Sequence, residues 1–222
     1  MNKTILSPSI LSADFADFGG AVAEIDASGA KWLHLDVMDG SFVPNLTFGP
    51  ALISSLRKRT KAFFDVHLMI VNPDRHIKEF AESGANGITF HHEAYENPVK
   101  LLKEIRSLGV SPGITIVPET PVSVLQNVLQ YIDLALIMTV PPGYGGQRLI
   151  PECLEKVKEL AEMREKAGLS FKISVDGGIN EQTAQTAKAL GADVLVMGSS
   201  FFSCGYKRGL VERVSGGEKS EE

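Results

Sequence analysis

Eight short apolar stretches, rich in β-branched residues, recur along the chain: ILSPSIL (5–11), KWLHLDV (31–37), AFFDVHLM (62–69), GITFHH (87–92), SPGITIV (111–117), LALIMTV (134–140), SFKISVD (170–176) and ADVLVMG (192–198). Runs of this length and composition predict strands buried on both faces. Between them lie stretches with helical periodicity: FADFGGAVAEIDASG, PALISSLRKR, PDRHIKEFAESG, NPVKLLKEIRSLG, PVSVLQNVLQYI, PECLEKVKELAEMREKAG and NEQTAQTAKALG. In VKLLKEIRSL, for example, Val99, Leu102, Ile105 and Leu108 share one face. Gly29, Gly84, Gly109, Gly168 and Gly191 fall just past such stretches, where a left-handed residue ends a helix. Pro73, Pro98, Pro121 and Pro151 fall near first turns, where a missing N–H costs nothing.

Strict alternation of strand and helix predicts an α/β protein with a parallel sheet covered by helices. Eight units in a chain of 222 residues fit the lower size range of a (β/α)8 TIM barrel. An open doubly wound sheet is the rival, but residues 11–20 read LSADFADFGG and lack its Gly-rich fingerprint. The expectation is a single barrel domain over residues 1–214. The tail SGGEKSEE (215–222) has the composition of a disordered segment.

Composition narrows the function classes. Hydrophobic residues make up 44% and charged residues 22%, as in ordinary globular proteins. The net charge of −5 supplies no global field for nucleic acid or anionic lipid, so an anionic ligand needs a local site. Cys153 and Cys204 form no CxxC pair and point to a reducing compartment. The start of the chain shows no signal-like apolar region, and no apolar run is long enough to span a membrane. These features lead to an expectation of a cytoplasmic protein without nucleic-acid or membrane partners.

The polar residues within the strands cluster at one end. Ser7 and Ser9 lie on the first run, His34 and Asp36 on the second and His67 on the third, while His91 closes the fourth and Asp176 the seventh. Barrel active sites sit at the carboxyl ends of strands. Residues two apart on a strand point the same way, so His34 and Asp36 point inward together. His34, Asp36, His67 and Asp176 are therefore candidate ligands of one divalent metal ion: zinc, iron(II), manganese or cobalt. Each residue alone has a plainer reading, as a hydrogen-bonded strand-end group, and Asp39 before Gly40 reads as a turn residue. His76 and His92 read as surface residues. A second signal comes from three Gly-rich loops: PPGYGGQ (141–147), DGGIN (176–180) and MGSSFF (197–202). They follow the last three strands, and two of them fall after strands seven and eight, where barrels often bind phosphate through backbone amides.

With these residues in view, the chain resembles the ribulose-phosphate 3-epimerases. The likeness runs through SPSILSADF, HLDVMDGSFVPNLTFGP, DVHLM, PGYGGQ, SVDGGIN and GADVLVMGSS, over about residues 4–202. The resemblance implies a metal-dependent barrel that inverts C3 of a phosphorylated ketose, and a homo-oligomer. It implies that His34, Asp36, His67 and Asp176 bind the metal and that Asp36 and Asp176 are the acid/base pair. By the same resemblance Ser9 contacts substrate, and Met38, Met69 and Met138 surround the reacting carbons. Those methionines read equally as core filling. Gly145, Gly146, Gly177, Gly178, Gly198 and Ser199 would hold the phosphate. Two positions depart from the family pattern: Pro141 stands where Asn is usual, in VPPGYGGQ, and Val117 where Asn is usual, in VPETP. They leave open an allulose-6-phosphate 3-epimerase or a non-catalytic phosphate-binding barrel. A decarboxylase-type barrel would need a strand lysine, and Lys172 is at the wrong end of its strand.

Overall fold

The computed structural model describes residues 3–216. Eight parallel strands, β1 (Ile5–Pro8), β2 (Trp32–Met38), β3 (Phe63–Met69), β4 (Gly87–His91), β5 (Ser111–Ile116), β6 (Leu134–Met138), β7 (Lys172–Asp176) and β8 (Val194–Met197), form one sheet. Each matches one of the eight apolar runs. The ladder order is β1-β8-β7-β6-β5-β4-β3-β2, and its two ends meet at an isolated parallel bridge between Ser9 and His34. The sheet thus curls into a nearly closed barrel.

Helices α1 (Phe18–Ser28), α2 (Pro50–Arg57), α3 (Ile77–Glu82), α4 (Pro98–Ser107), α5 (Cys153–Lys166), α6 (Glu181–Ala189), α7 (Ser199–Phe202) and α8 (Lys207–Ser215) pack outside. Their ends follow local chemistry. Asp17 and Asn97 cap α1 and α4 through side-chain acceptors, and Asn180 with Thr183 makes a reciprocal capping box on α6. All five helix-ending glycines adopt positive φ, from 63° at Gly168 to 108° at Gly191. Ser215 closes α8 and Gly216 caps it in the left-handed conformation, so the first two residues of the expected tail belong to a helix end. Residues 217–222 of that tail lie outside the described residues.

Two local expectations change. Residues 121–132 form two 3-10 turns, Val122–Leu125 and Leu129–Tyr131, in place of an α-helix. Val122, Leu125 and Val128 recur every three residues, and a three-residue turn stacks all of them on the buried side. On α4 the buried face is Leu101, Leu102 and Ile105, while Leu108 lies past the last helical residue and is exposed.

Strand parity divides the interior in two. Leu33, Leu35 and Val37 of β2 face the helices within the main core, as do Val66 and Leu68 of β3. The other parity faces the axis and carries His34, Asp36, Asp65 and His67, all buried. Met38 and Met69 on that same parity form a small apolar cluster with Val43, separate from the main core.

A His/Asp cluster and a glycine rim at the carboxyl ends of the strands

The β2–β3 ladder sets His34 opposite Asp65 and Asp36 opposite His67, so imidazoles and carboxylates alternate. His34 Nδ1 lies 2.8 Å from Asp65 Oδ2, and its Nε2 lies 3.2 Å from Asp36 Oδ1 and 3.8 Å from Asp176 Oδ2. His67 Nδ1 lies 3.1 Å from Asp36 Oδ1. The Ser9 hydroxyl donates to Asp36 Oδ2 at 2.6 Å. One ligand atom from each of His34, Asp36, His67 and Asp176 lies within 4.8 Å of the others. The structure therefore brings together all four candidate ligands from three strands.

These four groups fit a small cation. Four donors about 2.1 Å from a shared centre stand about 3.4 Å apart when tetrahedral, and the spacings of 3.1, 3.2 and 3.8 Å bracket that value. His34 Nε2 is fully buried and makes no hydrogen bond, a costly state for a ring nitrogen unless something else satisfies it. Its other nitrogen backs onto Asp65, the usual second partner of a metal-bound imidazole.

Electrostatics point the same way. Burial opposes a proton on His34, yet Asp36 and Asp65 outweigh it and push its pKa well above the usual value. The site calls for positive charge, which a proton or a cation can supply. Burial alone would raise Asp36, but the His34 charge and the two imidazole rings of His34 and His67 against its carboxylate hold it well below the carboxylate range. Asp176 goes the other way, raised to about 6 by burial and then by the charge of Asp36. Two neighbouring carboxyls thus have opposite protonation preferences.

A pocket opens above the cluster. Asp36 and Asp176 reach its floor, together with Ser9, Met38, Met69 and Met138. His34 and His67 lie beneath, with no exposed surface. Gly145, Gly146, Gly177, Gly178, Gly198 and Ser199 all line one side, so every residue of the expected glycine rim reaches the same pocket. At Gly177, Gly178 and Gly198 a side chain would clash with its neighbours. At Gly178 φ is 64°, and a Cβ would lie 2.3 Å from the Leu149 nitrogen. At Gly198 a Cβ would lie 2.4 Å from Ser12 Oγ. The Thr139 hydroxyl donates to the Gly177 carbonyl at 2.6 Å, tying the end of β6 to the loop after β7.

Pro141 leaves its carbonyl to accept from Gln147 Nε2 at 2.8 Å, and Gln147 also donates to the Tyr144 carbonyl at 2.9 Å. Asn45 bridges from the loop after β2 to the Gly143 carbonyl at 2.9 Å. The segment after β6 is thus folded over the pocket in spite of the departure at Pro141. Asp39 anchors its own loop, accepting from the N–H groups of Ser41, Phe42 and Val71. His76 is exposed and His92 is half-buried in a 3-10 turn. Lys172 is exposed at the amino end of β7, opposite the pocket.

Sequence reasoning put His91 at the strand carboxyl ends but missed its partner Glu93, and it missed Asp65 and Ser12 as neighbours of the site. The parity that joins His34 to Asp36 also joins Asp65 to His67 and would have found Asp65. His91 Nε2 lies 2.9 Å from His67 Nε2, and its Nδ1 lies 3.5 Å from Glu93 Oε2. Burial brings His91 down to about 4, while the nearby His91 ring and the Thr120 hydroxyl hold Glu93 at about 2 against its own burial.

A parallel barrel with its ionisable groups and anion-ready glycines gathered at the strand carboxyl ends belongs to the (β/α)8 class of enzymes. Solved structures agree on that fold. KGPDC from Streptococcus mutans superposes with a TM-score of 0.70 at 17% identity, covering 96% of both chains. The 3-hexulose-6-phosphate synthase from Salmonella typhimurium gives 0.66 at 15% identity, covering 96% of this chain and 97% of the other. Sequence narrows the class further: residues 5–202 match the ribulose-phosphate 3 epimerase family, and the chain belongs to it. The ribulose-phosphate 3-epimerase of Treponema pallidum is 50% identical, over 96% of this chain and 97% of its own. That of Bacillus subtilis is 41% identical, over 95% of this chain and 98% of its own. No helix among the described residues is long and apolar enough to cross a membrane.

Proposed function

We propose that this chain interconverts D-ribulose 5-phosphate and D-xylulose 5-phosphate by proton transfer at C3. The observation that carries the reading is the opposed bias of Asp36 and Asp176, two carboxyls entering one pocket from β2 and β7. Inversion at a carbon next to a carbonyl removes a proton from one face and returns one to the other. It needs one ionised and one protonated group, which is the state these environments favour. Asp36, steadied by the Ser9 hydroxyl, takes the proton from one face. Asp176 delivers the other, and the roles exchange in the reverse direction. A divalent cation held by His34, Asp36, His67 and Asp176 would supply Lewis-acid stabilisation of the oxyanion at C2.

The glycine rim supports phosphate binding. Gly145, Gly146, Gly177, Gly178 and Gly198 line the pocket without side chains that would keep an anion from their backbone amides, and Ser199 lies beside them. Anchoring the phosphate stops the planar intermediate from turning over, so two groups are needed and one would not suffice. Met38, Met69 and Met138 pack the flat face with polarisable sulfur that does not compete for the cation. Zinc, iron(II), manganese or cobalt suits a two-imidazole, two-carboxylate set. The family resemblance supports a cytoplasmic homo-oligomer.

The test is turnover of ribulose 5-phosphate against allulose 6-phosphate in D2O, with and without added metal. The reading expects metal-dependent conversion of the five-carbon sugar with deuterium entering at C3. Product formed without solvent hydrogen sinks the proton-transfer mechanism, and a preference for the six-carbon sugar sinks the substrate assignment.

A further inference from the structure

We infer that His91 and Glu93 are positioning residues that select the tautomer of His67, leaving its Nδ1 lone pair free for a cation; the inference rests on the metal centre proposed above. Neither residue lines the substrate pocket, so neither touches the reacting atoms. His91 ends β4, is fully buried, and has the Phe42 ring 4.6 Å away. Its Nε2 faces the Nε2 of His67 at 2.9 Å. At that distance one nitrogen must carry the hydrogen and the other must present a lone pair.

The far end of His91 decides which. Its Nδ1 is buried and makes no hydrogen bond, and the nearest charged group is the Glu93 carboxylate, with Oε2 3.5 Å away. Glu93 in turn is fixed by the Val117 N–H at 3.1 Å and the Thr120 hydroxyl at 2.5 Å. A carboxylate can only accept, so the hydrogen of His91 sits on Nδ1 and its lone pair is at Nε2. His67 must then donate from Nε2, which strips the hydrogen from Nδ1.

Without His91 the opposite tautomer wins. Asp36 Oδ1 lies 3.1 Å from His67 Nδ1 and would draw the hydrogen there. That hydrogen would point into the ligand cluster and block one of its four donors. The Asp36–His67 contact and the His91–His67 contact therefore compete, and the Glu93 carboxylate tips the balance. Val117, one of the two departures from the family pattern, takes part through its backbone N–H alone, so the side-chain change leaves this contact intact.

Cobalt(II) titration of chelator-treated protein, read by its visible absorption bands, tests the inference, with ¹⁵N-histidine spectra of the metal-free protein at pH 8 reporting the His67 tautomer. His91→Leu is expected to bind cobalt about 10–100-fold more weakly and to move the His67 hydrogen from Nε2 to Nδ1. His91→Gln keeps an acceptor oxygen and is expected to restore both readouts most of the way. Glu93→Ala, at a rim position with a quarter of its side chain exposed, should shift both in the same direction as His91→Leu, and it serves if His91→Leu does not fold. Parent-like affinity in His91→Leu and Glu93→Ala, an unchanged His67 tautomer, or a His91→Gln as impaired as His91→Leu overturns the inference and leaves the metal centre standing. A parent protein that binds no cobalt overturns both.

Discussion

In the metal-free protein, replacing Asp176 by asparagine is expected to raise stability. The side chain is buried beside Asp36, and its pKa is raised from 3.8 to about 6. A gap of about two units at about 1.4 kcal/mol each makes the ionised form cost about 3 kcal/mol in the folded state. Its side chain is only 18% exposed, so water screens little of that. The sign follows from proton counts. Below 3.8 the carboxyl is neutral folded and unfolded, and its contribution is intact. Between 3.8 and about 6 the folded state binds the extra proton, so stability falls as pH rises, and above 6 the whole amount is lost. Asparagine keeps the shape and never ionises. Chelator-treated Asp176→Asn should therefore gain about 3 kcal/mol over the parent at pH 8, or about 6–12 °C in Tm for a chain of this size. The gain should vanish at pH 3.5. Denaturant midpoints of both proteins at the two pH values decide it. No gain at pH 8, or the same gain at both, would refute the claim that this carboxyl is held against its ionisation. With metal added the order should invert, because the amide removes a charged ligand.

Turnover should fall by about 100–10,000-fold in Asp36→Asn and in Asp176→Asn, with unchanged circular dichroism; near-parental rates in either would remove it from the acid/base pair. Gly178→Ala combines a φ of 64° with a Cβ 2.3 Å from a backbone nitrogen. It should cost about 1–3 kcal/mol and raise KM for the phosphorylated sugar, as thermal melts and steady-state kinetics can show. Asp65→Asn should loosen metal binding by about 10–100-fold in a competition titration with a chromophoric chelator; unchanged affinity would mean that His34 does not depend on its buried partner.

The barrel was legible because its signals are local and repeated. Each apolar run is bounded by a proline or glycine whose backbone role is independent of tertiary context, and all five helix-ending glycines have the conformation their positions demand. Parity along β2 was enough to put His34 and Asp36 on one face. What the sequence could not reveal depends on neighbours in space. Glu93 lies beyond the end of β4, where no period applies, and its link to His91 exists only because the loop after β5 clamps it. The Ser12 hydroxyl meets Gly198 across the join between β1 and β8. The 3-10 turns between β5 and β6 were misread because a spacing of three satisfies helical and 3-10 periodicity alike.

The bridge from Ser9 to His34 closes the cylinder, and the same two residues contact Asp36. Elsewhere each strand is stitched to its neighbours by a run of paired residues, but this joint is a single stitch. Breathing of the cylinder is therefore easiest where the chemistry is housed. Gentle heating should silence the protein while its helices still absorb circularly polarised light as before, and a ligand that grips both sides of the joint should act as a clasp on the whole molecule.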